Sequence, residues 1–178
     1  SCQTFIIIPS FVQGLGNFPQ IGSNVDGDGA DSNSFGSSYY SGERLGGSVA
    51  ISDDGTIFAA GAHLADVDGI YGVGRTILRE YNSATGSWTV FVDDIDGDPS
   101  VTGEKSGDRV ALSADGTIVA IGATTLSSGK VRVYRREESG GNPTYVQMGS
   151  TVIGYFGFAY SYSYFGNDLA LSGDGKRF

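Results

Sequence analysis

The sequence predicts an all-β fold assembled from a repeat of ~60 residues, and three observations carry that prediction. Glycine supplies 29 of the 178 residues, more than twice its usual share of about 7%, and lacks the three-residue period of collagen. The longest glycine-free stretch, Ser1–Gln13, is interrupted by Pro9, which leaves no room for long helices or helical bundles. A third observation is self-similarity. The stretch Gly46-Gly-Ser-Val49-Ala50-Ile51-Ser52-Asp-Asp54-Gly55 returns as Gly107-Asp-Arg-Val110-Ala111-Leu112-Ser113-Ala-Asp115-Gly116. It returns again as Gly166-Asn-Asp-Leu169-Ala170-Leu171-Ser172-Gly-Asp174-Gly175, and the shared serines lie 61 and 59 residues apart.

Two further anchors run in phase with the first. Phe18, Trp88 and Tyr145 are each followed seven residues later by Val25, Ile95 and Val152, and two residues beyond stand Gly27, Gly97 and Gly154. Ahead of each aromatic lies an apolar or alternating run: Phe5–Ile8, Thr76–Tyr81 and Val131–Tyr134. The units therefore divide as a partial unit and connection over 1–45, whole units over 46–106 and 107–165, and the start of another over 166–178.

Each unit predicts four short strands. The Val-Ala-Ile/Leu run, apolar on both faces, predicts a strand buried on two sides. Asp-Gly between two apolar runs predicts a hairpin with a type I′ turn, capped by the hydroxyl of the preceding Ser. Thr56–Ala62 and Thr117–Ala123 form the returning strand. The third strand alternates, with Val131 and Val133 on one face and Lys130, Arg132 and Tyr134 on the other, so one side is expected to meet solvent. The Phe/Trp/Tyr position opens an outer strand whose ring seals the gap between neighbouring sheets. Ala50, Ala111 and Ala170 fall mid-strand, where sheets converge.

Charge and composition narrow the function classes. Twenty acidic against 11 basic residues give a net charge of −9, which disfavours a phosphate backbone as partner and hence nucleic-acid binding. Cys2 and His63 are each the only residue of their type, which excludes an internal disulfide, a cysteine zinc site and any two-histidine metal motif. No apolar run approaches the roughly 20 residues of a transmembrane helix. The chain opens at Ser1 and closes just after a turn signal, so a longer parent protein is expected.

Four-stranded units of this period with a Ser-x-Asp-Gly hairpin resemble the blades of a β-propeller, and more specifically the FG-GAP repeats of integrin α-subunit heads and of many surface proteins. Phe165-Gly166 matches the opening Phe-Gly of that repeat, while Leu45-Gly46 and Ser106-Gly107 keep only the glycine. Gly61-Ala62 and Gly122-Ala123 match its closing Gly-Ala without the Pro. The resemblance implies an all-β, partial β-propeller of four-stranded antiparallel blades. Propellers close with about four to eight blades, so the segment implies further blades in the same chain or in partner copies.

Three stretches are candidate sites. Asn24-x-Asp26-x-Asp28-Gly29 opens like a calcium loop, with alternate oxygen ligands and a glycine for the tight turn. Phe35 stands where an EF-hand carries its closing Glu, and Ser32 stands where the FG-GAP calcium loop carries Asp. Asp94, Asp96 and Asp98 repeat the alternation, with Pro99 in place of the glycine. The alternative for both is a solvated inter-strand loop. Asp66 and Asp68, just after His63, could assemble a ligand set, but Gly69, Gly72 and Gly74 suggest a flexible hairpin loop instead. Tyr160, Tyr162 and Tyr164 alternate with small residues and share one face when extended, which suits stacking on a glycan or a protein, or packing between blades.

No GxSxG, HExxH or Walker-type loop occurs. The function expected is a non-catalytic interaction module of a larger extracellular, cell-surface or luminal protein. It would bind a protein or glycan partner through blade loops, with Ca²⁺ as the only cofactor suggested. The alternatives are a structural subunit of a large assembly, and a propeller hydrolase or lyase whose catalytic residues lie in other blades.

Overall fold

The structure, a computed structural model, describes residues 20–27, 42–125, 128–154 and 164–178. Among them there is no helix, and hence none long and apolar enough to cross a membrane. Two antiparallel sheets repeat one plan. The first runs β1 (Leu45–Ile51), β2 (Ile57–Ala62), β3 (Arg75–Asn82) and β4 (Ser87–Val90), with the short β5 (Ile95–Asp96) paired to β3. The second runs β6 (Ser106–Leu112), β7 (Ile118–Ala123), β8 (Lys130–Ser139) and β9 (Asn142–Gln147), with β10 (Val152–Ile153) paired to β8. Registers coincide: Leu45 faces Ala62 as Ser106 faces Ala123, and each first strand bulges immediately afterwards.

The hairpin signal is right about place and wrong about turn type. Gly55, Gly116 and Gly175 have φ of 71°, 69° and 68°, but the preceding Asp stays at negative φ, so these are not type I′ turns. The serine decides the geometry. Ser113 Oγ accepts the amide of Ile118 at 2.9 Å and donates to Asp115 Oδ1 at 2.7 Å, while Asp115 also accepts the Thr117 amide at 3.0 Å. Ser52/Asp54 and Ser172/Asp174 repeat the arrangement. These bonds hold the Asp54, Asp115 and Asp174 carboxyls below their ordinary range, with the serine hydroxyl the largest cause in each. Ser113 is 1% exposed, so Ser113→Ala strands a buried amide and is expected to cost about 2 kcal/mol in a urea titration.

Burial corrects two strand assignments. β2 and β7 are buried at every position, whereas β1 is half-exposed, with Val49 48% accessible. The expectation holds in β6, also the edge of its sheet, where Val110 and Ala111 are buried, Val110 against the first unit; edge position alone therefore does not set the exposure of β1. The polar face of β8 is only partly open to solvent. Lys130 and Arg132 turn onto a buried carboxylate, that of Glu104.

The sheets stack face to face. Ala59, Leu78 and Val92 of the first unit pack against Val110, Val119 and Ile121 of the second. The opposite face of the first sheet carries Phe58, Ala60, Ile77 and Trp88, on which residues 20–27 lie. Phe58 and Ala60 are the repeat equivalents of Val119 and Ile121, so each sheet offers one face to the unit before it and the other to the unit after. The outer-strand aromatics do seal these seams. Trp88 stacks edge-on against Phe58 with ring centres 4.8 Å apart, and its indole N–H reaches Ile21 O at 3.3 Å. Tyr145 packs against the inter-sheet core and donates to Gly116 O. Phe18 lies outside the described residues.

Backbone contacts from unit to unit also repeat. The Asp53 amide donates to Ala114 O at 2.8 Å, and the Ala114 amide to Gly173 O at 2.9 Å. Gly107 sits against Gly61 and Arg75 O, and Gly166 sits against Gly122 and Lys130 O. Residues 164–178 therefore dock on the second sheet as the second docks on the first.

Candidate functional site

At one end of the sheets the β2–β3 loop runs beside the connection from β5 into β6. Backbone bonds join the two segments: Gly103 N to Tyr71 O at 2.9 Å, Lys105 N to Gly72 O at 3.0 Å, and Ser106 N to Val73 O at 2.9 Å. Inside the loop, Asp66 Oδ1 accepts the Gly72 amide at 2.8 Å. Val67 and Ile70 exchange hydrogen bonds around Asp68 and Gly69, whose φ values are 52° and 76°. This is a type I′ turn, found here rather than in the Ser-x-Asp-Gly hairpins. Of the three glycines, Gly72 and Gly74 are buried, while Gly69 at the turn is exposed with open space where a side chain would lie.

An open cleft of about 470 Å³ lies at this end, lined by Arg44, His63, Tyr71, Thr102, Lys105 and Thr125 among others. Arg44 and Lys105 are repeat equivalents at the entrances to β1 and β6. Both hold left-handed backbone, with φ of 55° and 60°, and each carbonyl accepts an amide from the following bulge at 3.2 Å, from Gly47 and Asp108 respectively. His63 Nδ1 is buried without a hydrogen bond and lies 3.8 Å from Asp108 Oδ1. Burial is the largest influence on the imidazole and pushes its pKa down. Asp108 pulls it up, Arg44, Lys105 and Arg109 push it down, and the net effect leaves His63 uncharged at neutral pH. Asp108 itself accepts the Thr124 hydroxyl and lies 3.8 Å from Arg109.

The sequence-predicted site residues are dispersed. Asp94 pairs with Arg79 at 3.0 Å and Asp96 with Arg75 at 2.6 Å, while Asp98 accepts the amide and hydroxyl of Ser100 at 2.9 and 2.6 Å. The alternation that suggested a cation loop thus places three carboxylates on three different partners. Asn24 accepts from Gln20 at 2.8 Å, Asp26 is exposed, and Asp28 lies outside the described residues. Among the described residues no group of three or more His, Cys, Asp or Glu is disposed to hold a metal ion. Tyr164 is 70% exposed, and Tyr160 and Tyr162 lie outside the described residues.

The sequence reading passed over a second feature, the carboxylate of Glu104. It is wholly buried beside the cleft and accepts from Arg132 at 2.6 and 3.2 Å, Lys130 at 2.9 Å and the Asp98 amide at 2.6 Å. Glu43 is its repeat equivalent and is likewise buried, with Gly27 against its carboxylate as Gly97 is against that of Glu104. The signal was present as Gly42-Glu43-Arg44-Leu45-Gly46 and Gly103-Glu104-Lys105-Ser106-Gly107. No protein-family model matches the chain, and no curated protein matches it.

Proposed function

We propose that the chain is part of a non-catalytic, β-propeller-type interaction module of a larger extracellular, cell-surface or luminal protein, related to the FG-GAP repeats. In this reading it binds a protein or glycan partner at the loop end of its blades. One observation carries the proposal: the interface between units is head-to-tail and reproduces itself. Contacts of this kind close into rings or continue as open arrays, and radial repetition of four-stranded sheets is the propeller solution. The half-exposed β1 and the small residues Ala50 and Ala111 suit the inner strands of such a ring. Two features of the loop end support the binding role: its cleft is open, and its backbone is pinned on both sides. Firmly held groups of this kind suit recognition.

Electron microscopy of the native particle tests the architecture. Rings of radial sheets around a central channel are expected; an extended filament or an isolated two-sheet sandwich would overturn the propeller. Binding to a panel of immobilised glycans and surface proteins tests the role. Tyr71→Ala is expected to weaken a genuine loop-end partner by about tenfold, as truncating a central aromatic contact does.

A further inference from the structure

We infer that His63 is a mild-acid switch on the seam between the two units: a proton taken up by its imidazole loosens the contact of β2 with β6 and frees the loop end. The device lies in the fold itself and holds whatever the loop end binds.

Position is the first argument. His63 directly follows β2, two residues after Gly61, whose backbone lies against Gly107 of the next unit. Asp108 and Arg109 come next after Gly107, and the Val110 amide then crosses back to Ser48 Oγ at 3.0 Å. Beyond His63 runs the β2–β3 loop, tied across the same seam by the amides of Gly103, Lys105 and Ser106. A charge gained at residue 63 therefore arises between the closest backbone contact of the two units and the bonds that hold the loop end.

The second argument is that the seam has little to offer an imidazolium. Nδ1 is buried without a hydrogen bond, and Gly47, beside it in its own unit, has no side chain to accept from it. The repeat equivalents of His63 and Gly47 are Thr124 and Asp108, and these two are bonded, hydroxyl to Oδ2 at 2.5 Å. The other oxygen, Asp108 Oδ1, lies 3.8 Å from His63 Nδ1 and equally 3.8 Å from Arg109 Nη1. An imidazolium would have to share that oxygen with a guanidinium already there, so the carboxylate answers only part of the new charge. Lys105 at the entrance to β6 and Arg44 at the entrance to β1 line the cleft with His63, and neither brings a negative charge. Glu43 turns its carboxylate to Gly27, and Tyr71 of the loop is uncharged near neutral pH. Burial, with the three cations behind it, outweighs the pull of Asp108 and holds the imidazole below its ordinary range.

Access completes the device. The His63 side chain is 14% exposed and faces an open cleft, so a proton arrives without unfolding. With the folded value below the ordinary 6.5, the unfolded chain takes up the proton first. Stability is then fully present above about pH 6.5 and declines as pH falls toward the folded value. His63 is the sole histidine, and Asp54, Asp115, Asp174 and Glu104 all titrate below the ordinary carboxylate range, so this window is its own.

Proton NMR of the intact protein follows the single imidazole directly, and a midpoint below 6.5 is expected. In urea titrations from about pH 7.5 to about pH 5, the folding equilibrium constant is expected to fall by up to roughly tenfold per pH unit, the limit for one proton. His63→Gln should be nearly flat there, as should His63→Thr, which installs the residue of the second unit. Hydrogen exchange of the Val110 amide, compared with His63→Gln at each pH, should be faster in the wild type only on the acid side. A midpoint at or above 6.5 would mean that Asp108 captures the proton and that acid tightens the seam. That result, wild-type stability parallel to both variants, or Val110 exchange equal in wild type and His63→Gln throughout would each overturn the switch.

Discussion

Gly61→Ala is expected to destabilise the protein by about 3 kcal/mol or more, at the upper end of what a single added methyl costs in a packed site. Gly61 lies in β2, buried at every position, and a Cβ there would land on the carbonyl oxygen of Gly107 in the next unit. The obstacle is backbone, so no rotamer change can make room. Gly107 is itself closely packed, with Arg75 O, the Thr76 hydroxyl and Gly61 Cα crowding the place a side chain would take. The glycine contact brings β2 of one unit against β6 of the next, and prising it open would also strain the neighbouring bond from the Val110 amide to Ser48 Oγ, 3.0 Å long. Gly103→Ala is the contrasting control, strain without a clash. Its φ of 70° is left-handed, as that of Gly61 is not, and a Cβ there meets nothing within 4 Å, so only backbone strain of ~1 kcal/mol is expected. Denaturant titrations of both variants measure the difference, and hydrogen exchange locates it. In a stack of repeats, stability is a sum of unit and interface contributions, so protection in Gly61→Ala should fall first at the seam between β2 and β6. Equal losses in the two variants would show that closing the seam on an added methyl costs no more than local backbone strain elsewhere, and would overturn the expectation.

How far the sequence could be read follows from what each signal depends on. The repeat, the hairpin positions and the outer aromatics were legible because they rest on local chemistry: a serine hydroxyl within reach of an amide five residues on, or a ring at the start of a short strand. The burial of β1 was misread because its Val-Ala-Ile pattern matches the Val-Ala-Leu run that is buried in β6, and the pattern does not say how closely neighbouring units cover each strand. The face of β8 was misread for the same kind of reason. Lys130 and Arg132 look like a solvated stripe until Glu104, far away in sequence, is folded beneath them. The acidic alternation at Asp94 and Asp96 has a register explanation: Arg75 and Asp96 are direct cross-strand partners and Asp94 pairs with Arg79, so the two carboxylates answer cations on β3, while Asp98 closes a local turn with Ser100. The cleft escaped notice because Arg44 and Lys105 are unremarkable in composition, and only their backbone and their common neighbour, His63, give them meaning.

Glu104→Ala is the second large effect expected, a loss of about 3–5 kcal/mol, the usual consequence of deleting one partner of a buried ion pair. The carboxylate is wholly buried and ties three segments together: the Asp98 amide from the connection after β5, its own place at the entrance to β6, and two cations of β8. Truncation leaves Arg132, only 12% exposed, facing a void with its charge unanswered, and strands the Asp98 amide as well. A cycle through Glu104→Leu, Arg132→Met and the double variant separates pair from burial. The double variant is expected to recover part of the single losses, because desolvation of both charges disappears together. Acid supplies an independent readout. Burial is the largest influence on this carboxyl and acts to raise its pKa; the bonds from Arg132, the Asp98 amide and Lys130 together outweigh it and set the net pKa below the ordinary 4.5. With the folded value the lower one, the unfolded chain binds more protons between the two. The stabilisation is therefore fully present above about pH 4.5 and lost as pH falls through the folded value. Asp54, Asp115 and Asp174 shift in the same direction and contribute to acid loss in every variant. The contribution of Glu104 is thus the difference in slope between the wild type and Glu104→Gln. A wild-type stability curve that parallels Glu104→Gln down to pH 3 would mean that the buried carboxylate does not hold these three segments together through its charge.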